Sequence, residues 1–373
     1  FLQNHYIPLR YHLPYCHKEN NRKNVRARTL SLILALICTF SVKAISFDLD
    51  SIAAMGRFPR FCINTYRWGD KFFNGYDTTY VDGTGYKLNV KLRTESWTDY
   101  YNLHFENDTE MSMISNPSTS VGLYLTYMAV SLGYDMNVSK YFDGHEEARR
   151  RWNFGFNCML FSANLYFLQN DVGTHISTIR QHGKDTFHPD IEYKGIDNTS
   201  WGFDFAYFFT HRRYSHAAAF NFSRIQKRSG GSFFAGFSFN RVKYNFDFNN
   251  LPDDISTTLP PDLPDNRYRV NTRNYILSGG YGFNWVFARH WLMGVSCTLM
   301  AGLSDGYYED TTHKKTTFSA MNRGELSVIW NNKHWFAGVI GNVRLSMLRD
   351  HRRTLLSSVI NMEVSLGYRF NLW

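Results

Sequence analysis

The 373-residue chain carries 41 Lys and Arg against 32 Asp and Glu, a formal net charge of +9 at pH 7. Seven of those cations and one of those acids lie in residues 1–44, leaving 34 against 31, or +3, so the basic balance is no argument for a nucleic-acid partner. No apolar run outside one short N-terminal segment approaches the roughly 20 residues of a membrane-spanning helix, which excludes a helical membrane protein but not a barrel, whose alternate residues alone face lipid.

Residues 1–19 resemble no targeting element, and Met55 is the first Met, so this tail reads as upstream sequence or part of a fragment. Residues 20–28 are basic through Arg22, Lys23, Arg26 and Arg28, and Thr29–Val42 is an apolar run of signal-peptide length. Val42 and Ala44 place small residues at the −3 and −1 positions, predicting a secretory signal cleaved before Ile45. Cys38 does not mark a lipoprotein, because bulky Ile37 stands beside it. Cleavage leaves Cys62, Cys158 and Cys297, too few and too scattered for a disulfide framework or a metal pattern. Cys158 and Cys297 are expected on the apolar faces of strands.

Residues 45–85 are expected to form a periplasmic N-terminal segment. Pro59, Gly69 and Gly75 interrupt 48–80, charge is scattered, and Phe72, Phe73 and Tyr76 are placed to pack against a barrel mouth. Alternation begins at Tyr86. Leu88, Val90 and Leu92 share one face, followed by Val121, Leu123, Leu125 and Tyr127, and then by Val130, Leu132, Tyr134 and Met136. Trp152 to Leu160, Ala163 to Phe167 and Trp201 to Phe209 continue the pattern, with further candidates at 231–246, 271–288, 290–304, 316–331, 334–349 and 356–372. In the last, Ile360, Met362, Val364, Leu366, Tyr368, Phe370 and Leu372 oppose Asn361, Glu363, Ser365, Gly367, Arg369 and Asn371. The predicted fold is all-β, a transmembrane antiparallel up-and-down barrel of about 12 strands over residues 86–373. A soluble β-sandwich also alternates, but here aromatics cluster at the ends of the apolar faces. Its polar faces carry Lys91, Arg93, Asp204, Arg323, Glu325, Arg344 and Glu363, which suit an enclosed wet lumen.

Loop lengths set the topology. The connections at 97–118, 138–150, 173–199 and 247–270 are long and are expected outside the cell, whereas those near 128, 161 and 211–214 are tight and periplasmic. Residues 215–227 could add a strand on Phe220/Phe222 alternation or a helical turn on Ala218, Phe222 and Ile225. A strand here would reverse every later loop, so parity favours a non-spanning periplasmic segment.

That segment also carries a resemblance. Tyr214, Ser215, Ala218, Ala219, Phe220, Asn221, Ser223, Gln226, Lys227, Ser229, Gly231 and Ser232 match a long spaced signature. Further matches are Asp77–Val81, Lys87–Leu92, Gly280–Val286 and Gly367–Phe370. The pattern resembles that of domain of unknown function 4421, an uncharacterised outer-membrane barrel family of Bacteroidetes. Phe222, Arg224 and Asn170–Gly173 depart from it. The resemblance implies the fold and a bacterial outer-membrane location, and it brings no catalytic residue.

No catalytic residue, metal site or cofactor is predicted. Of the 14 histidines only His175 and His351 approach the outer rim of a strand, where an outer-leaflet lipid hydrolase would need a Ser–His pair. His175, His182 and His188 share a loop with Asp185 and Asp190, but their spacing is irregular for a metal. Residues 305–310 hold acids around a glycine without the spacing of a cation loop. Two readings of the lumen stay open. The charges pair and fill a structural barrel, or Lys91, Arg93, Arg323 and Arg344 line a narrow anion-leaning channel. The expected partners are outer-membrane lipid and, through the C-terminal strand, the barrel-assembly machinery.

Overall fold

The computed structural model describes residues 60–371, except 62–63, 65–67, 70–71, 128–129, 140–147, 172, 182–185, 187, 195, 250, 260–263, 309–313 and 350–352. The upstream tail, the signal segment, its cleavage site and Cys62 lie outside the described residues. In chain order the strands are β1 (Val81–Gly83), β2 (Leu88–His104), β3 (Thr109–Ser115), β4 (Ser118–Tyr127), β5 (Val130–Asn137), β6 (Ala148–Asn157), β7 (Phe161–Asp171), β8 (Thr174–Gln181), β9 (Ile191–Tyr193) and β10 (Ile196–Phe208). A short helix α1 (His216–Phe220) and β11 (Arg224–Gln226) follow, then β12 (Gly230–Asp247) and a helical turn α2 (Asp253–Ser256). The chain ends with β13 (Arg267–Ala288), β14 (Trp291–Tyr308), β15 (Lys314–Asn331), β16 (Trp335–Arg349) and β17 (Thr354–Phe370).

Twelve of these strands close into one antiparallel barrel in the order β2, β4, β5, β6, β7, β10, β12, β13, β14, β15, β16, β17. The seam is β17 on β2, paired from Thr354↔His104 to Phe370↔Leu88. Period-two sequence dictates the wall, since one face of each strand turns to the lumen and the other outward. Ile360, Met362, Val364 and Leu366 are exposed on the outside, whereas Glu363, Ser365 and Arg369 are buried within. Cys297 takes the outward face of β14. Cys158 does not lie on a strand face. β6 ends at Asn157, and Cys158 is buried in the β6–β7 turn, where its thiol donates to the Phe161 carbonyl. Burial pushes that thiol's pKa up.

The segment after β10 adds no strand to the barrel. α1 leads into β11, which pairs with β1 as a separate two-stranded sheet. This end of the barrel, also reached by the first residues of β2 and the last of β17, is the plug end. The opposite, loop end departs from expectation. The stretches 97–118, 173–199 and 247–270 are not simply exposed loops, because β2 runs on to His104, β3 pairs with both β2 and β8, and β8 pairs with β9. Their apolar residues alternate inward and meet in one cluster with α2 and the loop-end parts of β12, β13, β16 and β17. Leu103, Phe105, Met111, Met113, Ile176 and Ile179 are completely buried there. Burial of that much apolar surface outweighs the default of loops lying in water.

Candidate functional site

The lumen is bounded by three structures: a charged wall, a plug and an apolar cap. The charged wall starts at the seam, where β2 and β17 set Glu95 directly opposite Glu363. Two buried carboxylates facing each other would repel, and Arg93 lies between them. Its Nη2 reaches Glu95 at 3.1 Å and its Nη1 reaches Glu363 at 3.1 Å. Its Nε also donates to Asp135 Oδ1 at 3.1 Å. Asp135 belongs to β5, two strands away, and Gly122 of the intervening β4 makes that reach possible. A Cβ at Gly122 would sit 1.9 Å from Asp135 Oδ1. Gly133 likewise leaves room for the Tyr124 ring, whose hydroxyl donates to Asp135 at 2.6 Å. Lys91 binds Glu363 at 3.1 Å and Arg151 binds Glu95 at 3.2 Å, so three cations neutralise three carboxylates. Arg93 and Lys91 also lie over the Tyr124 ring, at 4.5 and 4.8 Å from its centre.

Lys91, Arg93 and Glu363, expected in the lumen from the sequence, come together here. Glu95, Asp135, Arg151 and Tyr124 complete the network and are not among the expected lumenal residues. Their signal was present as polar residues at inward positions of strands read only by their apolar faces. The other four named charges lie elsewhere. Arg323 of β15 reaches Asp204 of β10 at 3.9 Å, and Glu325 is half-buried on the same inward face of β15. Arg344 is Arg323's direct partner in register on β16, is exposed to the lumen and makes no ion pair with a described residue. A cavity of about 270 Å³ lies between the charged wall, Asp204, Arg323, Glu325 and α1.

The plug is built by the signature residues. Ser215 caps α1 by accepting from Ala218 N at 3.2 Å, and its own N–H donates to Gln226 Oε1 at 3.0 Å. Gln226 returns two bonds, to the carbonyls of Arg213 and Arg228 at 2.7 and 2.9 Å. Asn284 of β13 donates to the Ser215 carbonyl at 2.9 Å, which ties the plug to the wall. Asn221 ends the helix with its N–H on Ala217 O, and Ser223 N donates to the same carbonyl. Phe220 is half-buried against the His216 ring, at 4.7 Å. Lys227 Nζ donates to Thr78 O at 2.7 Å, and Ser229 Oγ accepts from Val286 N at 3.0 Å. Gly231 leaves room for Tyr281, whose hydroxyl would lie 2.2 Å from a Cβ there.

Small residues allow the plug to touch backbone. A Cβ on Gly294 of β14 would lie 2.5 Å from the Ala219 methyl, and one on Gly338 of β16 would lie 2.7 Å from the Phe222 ring. Phe222 itself holds φ +60, a left-handed conformation rare for a bulky residue and worth roughly 1–3 kcal/mol of strain. Arg369, almost fully buried, donates to the Phe222 carbonyl, and Phe222 stacks on Phe336 at 4.9 Å. The Lys91 ammonium lies 5.2 Å from the same ring, so the plug meets the charged wall. Outside the strands, burial pushes the Tyr214 hydroxyl's pKa up and that of the His216 imidazole down. At the plug rim Phe73 packs edge-on to Phe161 at 5.7 Å, and the Arg224 guanidinium lies over Tyr76 at 5.2 Å. Phe72 is exposed and packs on Trp68 and Phe73.

The cap closes the loop end. Tyr101 of β2 and Phe246 of β12 meet edge to face at 5.7 Å, although six strand positions separate them in a ring of twelve. Opposite walls are therefore in contact at that level. Of the histidines described at this end, His175 lies near Asp190 at 3.7 Å and His188 on Thr178 at 3.1 Å. His182, Asp185 and His351 lie outside the described residues.

No curated protein matches the chain. Among solved structures it is similar to the toluene transporter TodX of P. putida at 9% identity, over 77% of this chain and 91% of that one, with a TM-score of 0.28. It is similar to the outer membrane protease OmpT of Escherichia coli at 9% identity, over 79% and 100%, with a TM-score of 0.32. The translocator domain of the autotransporter NalP from Neisseria meningitidis gives 10% identity over 88% and 100%, and a TM-score of 0.32. The family model described as Domain of unknown function (DUF4421) matches residues 75–370, the whole of the barrel and its plug, and the chain belongs to that family.

Proposed function

We propose that the protein resides in the bacterial outer membrane as a closed barrel with a structural or envelope-associated role, its lumen filled by paired charges instead of serving as an open pore. The observation that carries this is the contact of Tyr101 with Phe246 across the full width of the barrel, with α1 occupying the other end. The outward face supports the placement. On β13 an unbroken non-polar outward stretch runs from Tyr275 to Phe287, twelve residue steps. At about 3.4 Å per residue and a tilt of about 40° it spans about 31 Å, enough for the apolar band of an outer-membrane barrel together with its aromatic girdles. Long connections support a loop end that faces outside and a plug end in the periplasm, an arrangement that would leave the final strand available to the barrel-assembly machinery.

Refolded protein in planar bilayers should give no sustained conductance above the lipid background. Steady conductance from the intact chain would overturn the closed reading. A narrow anion-leaning channel is the second reading, favoured by Arg323 facing Arg344 in the lumen. It predicts current that reverses toward the anion potential once both plug and cap are displaced. The protein is not proposed to be an enzyme.

A further inference from the structure

A second pair of arginines faces each other on the outside of the wall. Arg241 of β12 and Arg273 of β13 are direct partners in register, and both lie on the outward face of their strands, in line with Phe239 and Tyr275. Like charges directly opposite on one sheet face destabilise it unless an anion lies between them. Their height on the barrel is fixed by the girdle. Trp201, Phe239 and Tyr275 form a chain of ring contacts at 5.4 and 5.2 Å, Trp201 is Arg241's partner across β10 and β12, and Arg273 stands one outward step beyond Tyr275. The pair thus sits at the edge of the apolar band, where lipid headgroups begin.

The surroundings add positive charge. Toward the loop end, Lys243 is the next outward residue on β12, opposite Asn271, and Arg269 follows one outward step later on β13, opposite Asn245. Asp247 is already engaged by Arg267 at 2.7 Å. Asp305 lies in register with Arg273, and Asp197 lies opposite Asn245, so four cations share the patch with two acids. Asn271 accepts from Arg241 Nε at 3.3 Å, which restrains that guanidinium beside its strand neighbour. Immediately below, Leu277 is 73% exposed and Leu303 55% exposed, giving an apolar surface for acyl chains beneath the cations. Two planar guanidinium forks on directly paired residues of adjacent strands suit a tetrahedral phosphate.

We infer that Arg241 and Arg273, assisted by Lys243 and Arg269, form a docking site for the phosphorylated headgroup of an outer-leaflet lipid, an inference that rests on the outer-membrane placement proposed above. The test compares the wild type with Arg241→Gln/Arg273→Gln, both refolded in dodecyl maltoside micelles. Each is titrated with bisphosphorylated lipid A and with its dephosphorylated form, and bound lipid is counted by native mass spectrometry. Wild type should hold the phosphorylated lipid roughly tenfold more tightly than the double variant, and the margin should vanish with the dephosphorylated lipid. Equal retention by the two proteins, or equal binding of the two lipids, overturns the site.

Arg349→Gln, an exposed position on β16, should bind as wild type does, and a matching loss there would reduce the effect to general charge and overturn the site as well. Inorganic phosphate at the lipid's concentration should leave the lipid bound. Displacement would assign the patch to a soluble anion and sink the lipid inference. Heat-modifiable migration in gels separates the two levels of the argument. A wild-type chain that never folds in micelles or vesicles defeats the outer-membrane reading itself, whereas a folded barrel indifferent to phosphate defeats only this site.

Discussion

The lumen closes on side chains at the loop end, where aromatic and aliphatic residues from β2, β3, β8, β12, β13 and α2 fill the cross-section, and on backbone at the plug end. There, Ala219 rests on Gly294 and the carbonyls of Ser215 and Phe222 are held by Asn284 and Arg369. The two closures tolerate change differently. An apolar cluster keeps its function under many substitutions that conserve volume, and its strength is spread over many residues. A contact between a methyl and a glycine, or a carbonyl held by one particular amide, has few replacements. The signature residues therefore gather in one short run at the plug, while the cap is drawn from distant segments with no common motif. The plug is also continuous in sequence.

The comparison breaks most visibly if both closures are removed. Deleting 216–226 together with Tyr101→Ala and Phe246→Ala should convert a silent barrel into a conducting one in planar bilayers while leaving heat-modifiable migration intact, whereas the deletion alone should stay silent because the cap still fills the cross-section. Steady conductance from the deletion alone would mean that the cap does not seal the lumen. Next in size, Phe246→Ala should cost about 3–5 kcal/mol in urea unfolding of the refolded barrel, while Phe246→Leu should cost under about 1.5 kcal/mol. Similar losses from both would show a cap as exacting as the plug. At the plug, Asn284→Ala leaves the Ser215 carbonyl without its amide partner and should cost about 1–3 kcal/mol. Protease cutting near 213–228 should accelerate without any effect on cuts at the loop end.

The smallest effect concerns acid. Burial lowers the pKa of His216 within the plug, Arg323 lowers it further and Glu325 opposes both. A released plug regains the ordinary imidazole value near 6.5. As pH falls below that value the released form takes up a proton that the packed form refuses, so closure weakens toward acid and is unaffected above neutrality. Proteolysis of the plug should quicken between about pH 6.5 and 5, and His216→Asn should flatten the profile. A rate that slows toward acid would reverse the assigned sign.

Much of the wall is legible from alternation alone, because a barrel strand with an apolar outward face and a polar lumenal face must repeat every second residue. Leu88, Val121 and Ile360 mark their strands in this way. Parity likewise places 215–227 outside the barrel sheet. Where alternation ran past a strand it misled: Cys158 and Leu160 keep the parity of Trp152 yet belong to the turn. The cap was hidden for a different reason. Leu103, Phe105, Met111 and Met113 alternate as well, but they sit among polar residues in a stretch long enough to be an outer loop, and their partners Ile176 and Phe246 are far along the chain. The ion network was half legible. Lys91, Arg93 and Glu363 are conspicuous charges on polar faces, whereas the route from Arg93 to Asp135 depends on Gly122 between them and exists only once register is known.

That one guanidinium has a consequence for how the barrel is assembled. Arg93 needs Asp135, which arrives soon after it in the chain, and Glu363, separated from it by 270 positions, before its charge is compensated. Until β17 docks, an edge of the sheet presents Arg93 and Glu95 without their seam partners, and a buried ion left short of partners costs several kcal/mol. A sheet assembled only up to β16 would carry that penalty, so the last strand does more than cover an edge. Its arrival neutralises the wall and completes Arg369's hold on the plug, so that charge compensation, plug anchoring and ring closure all fall to one final pairing.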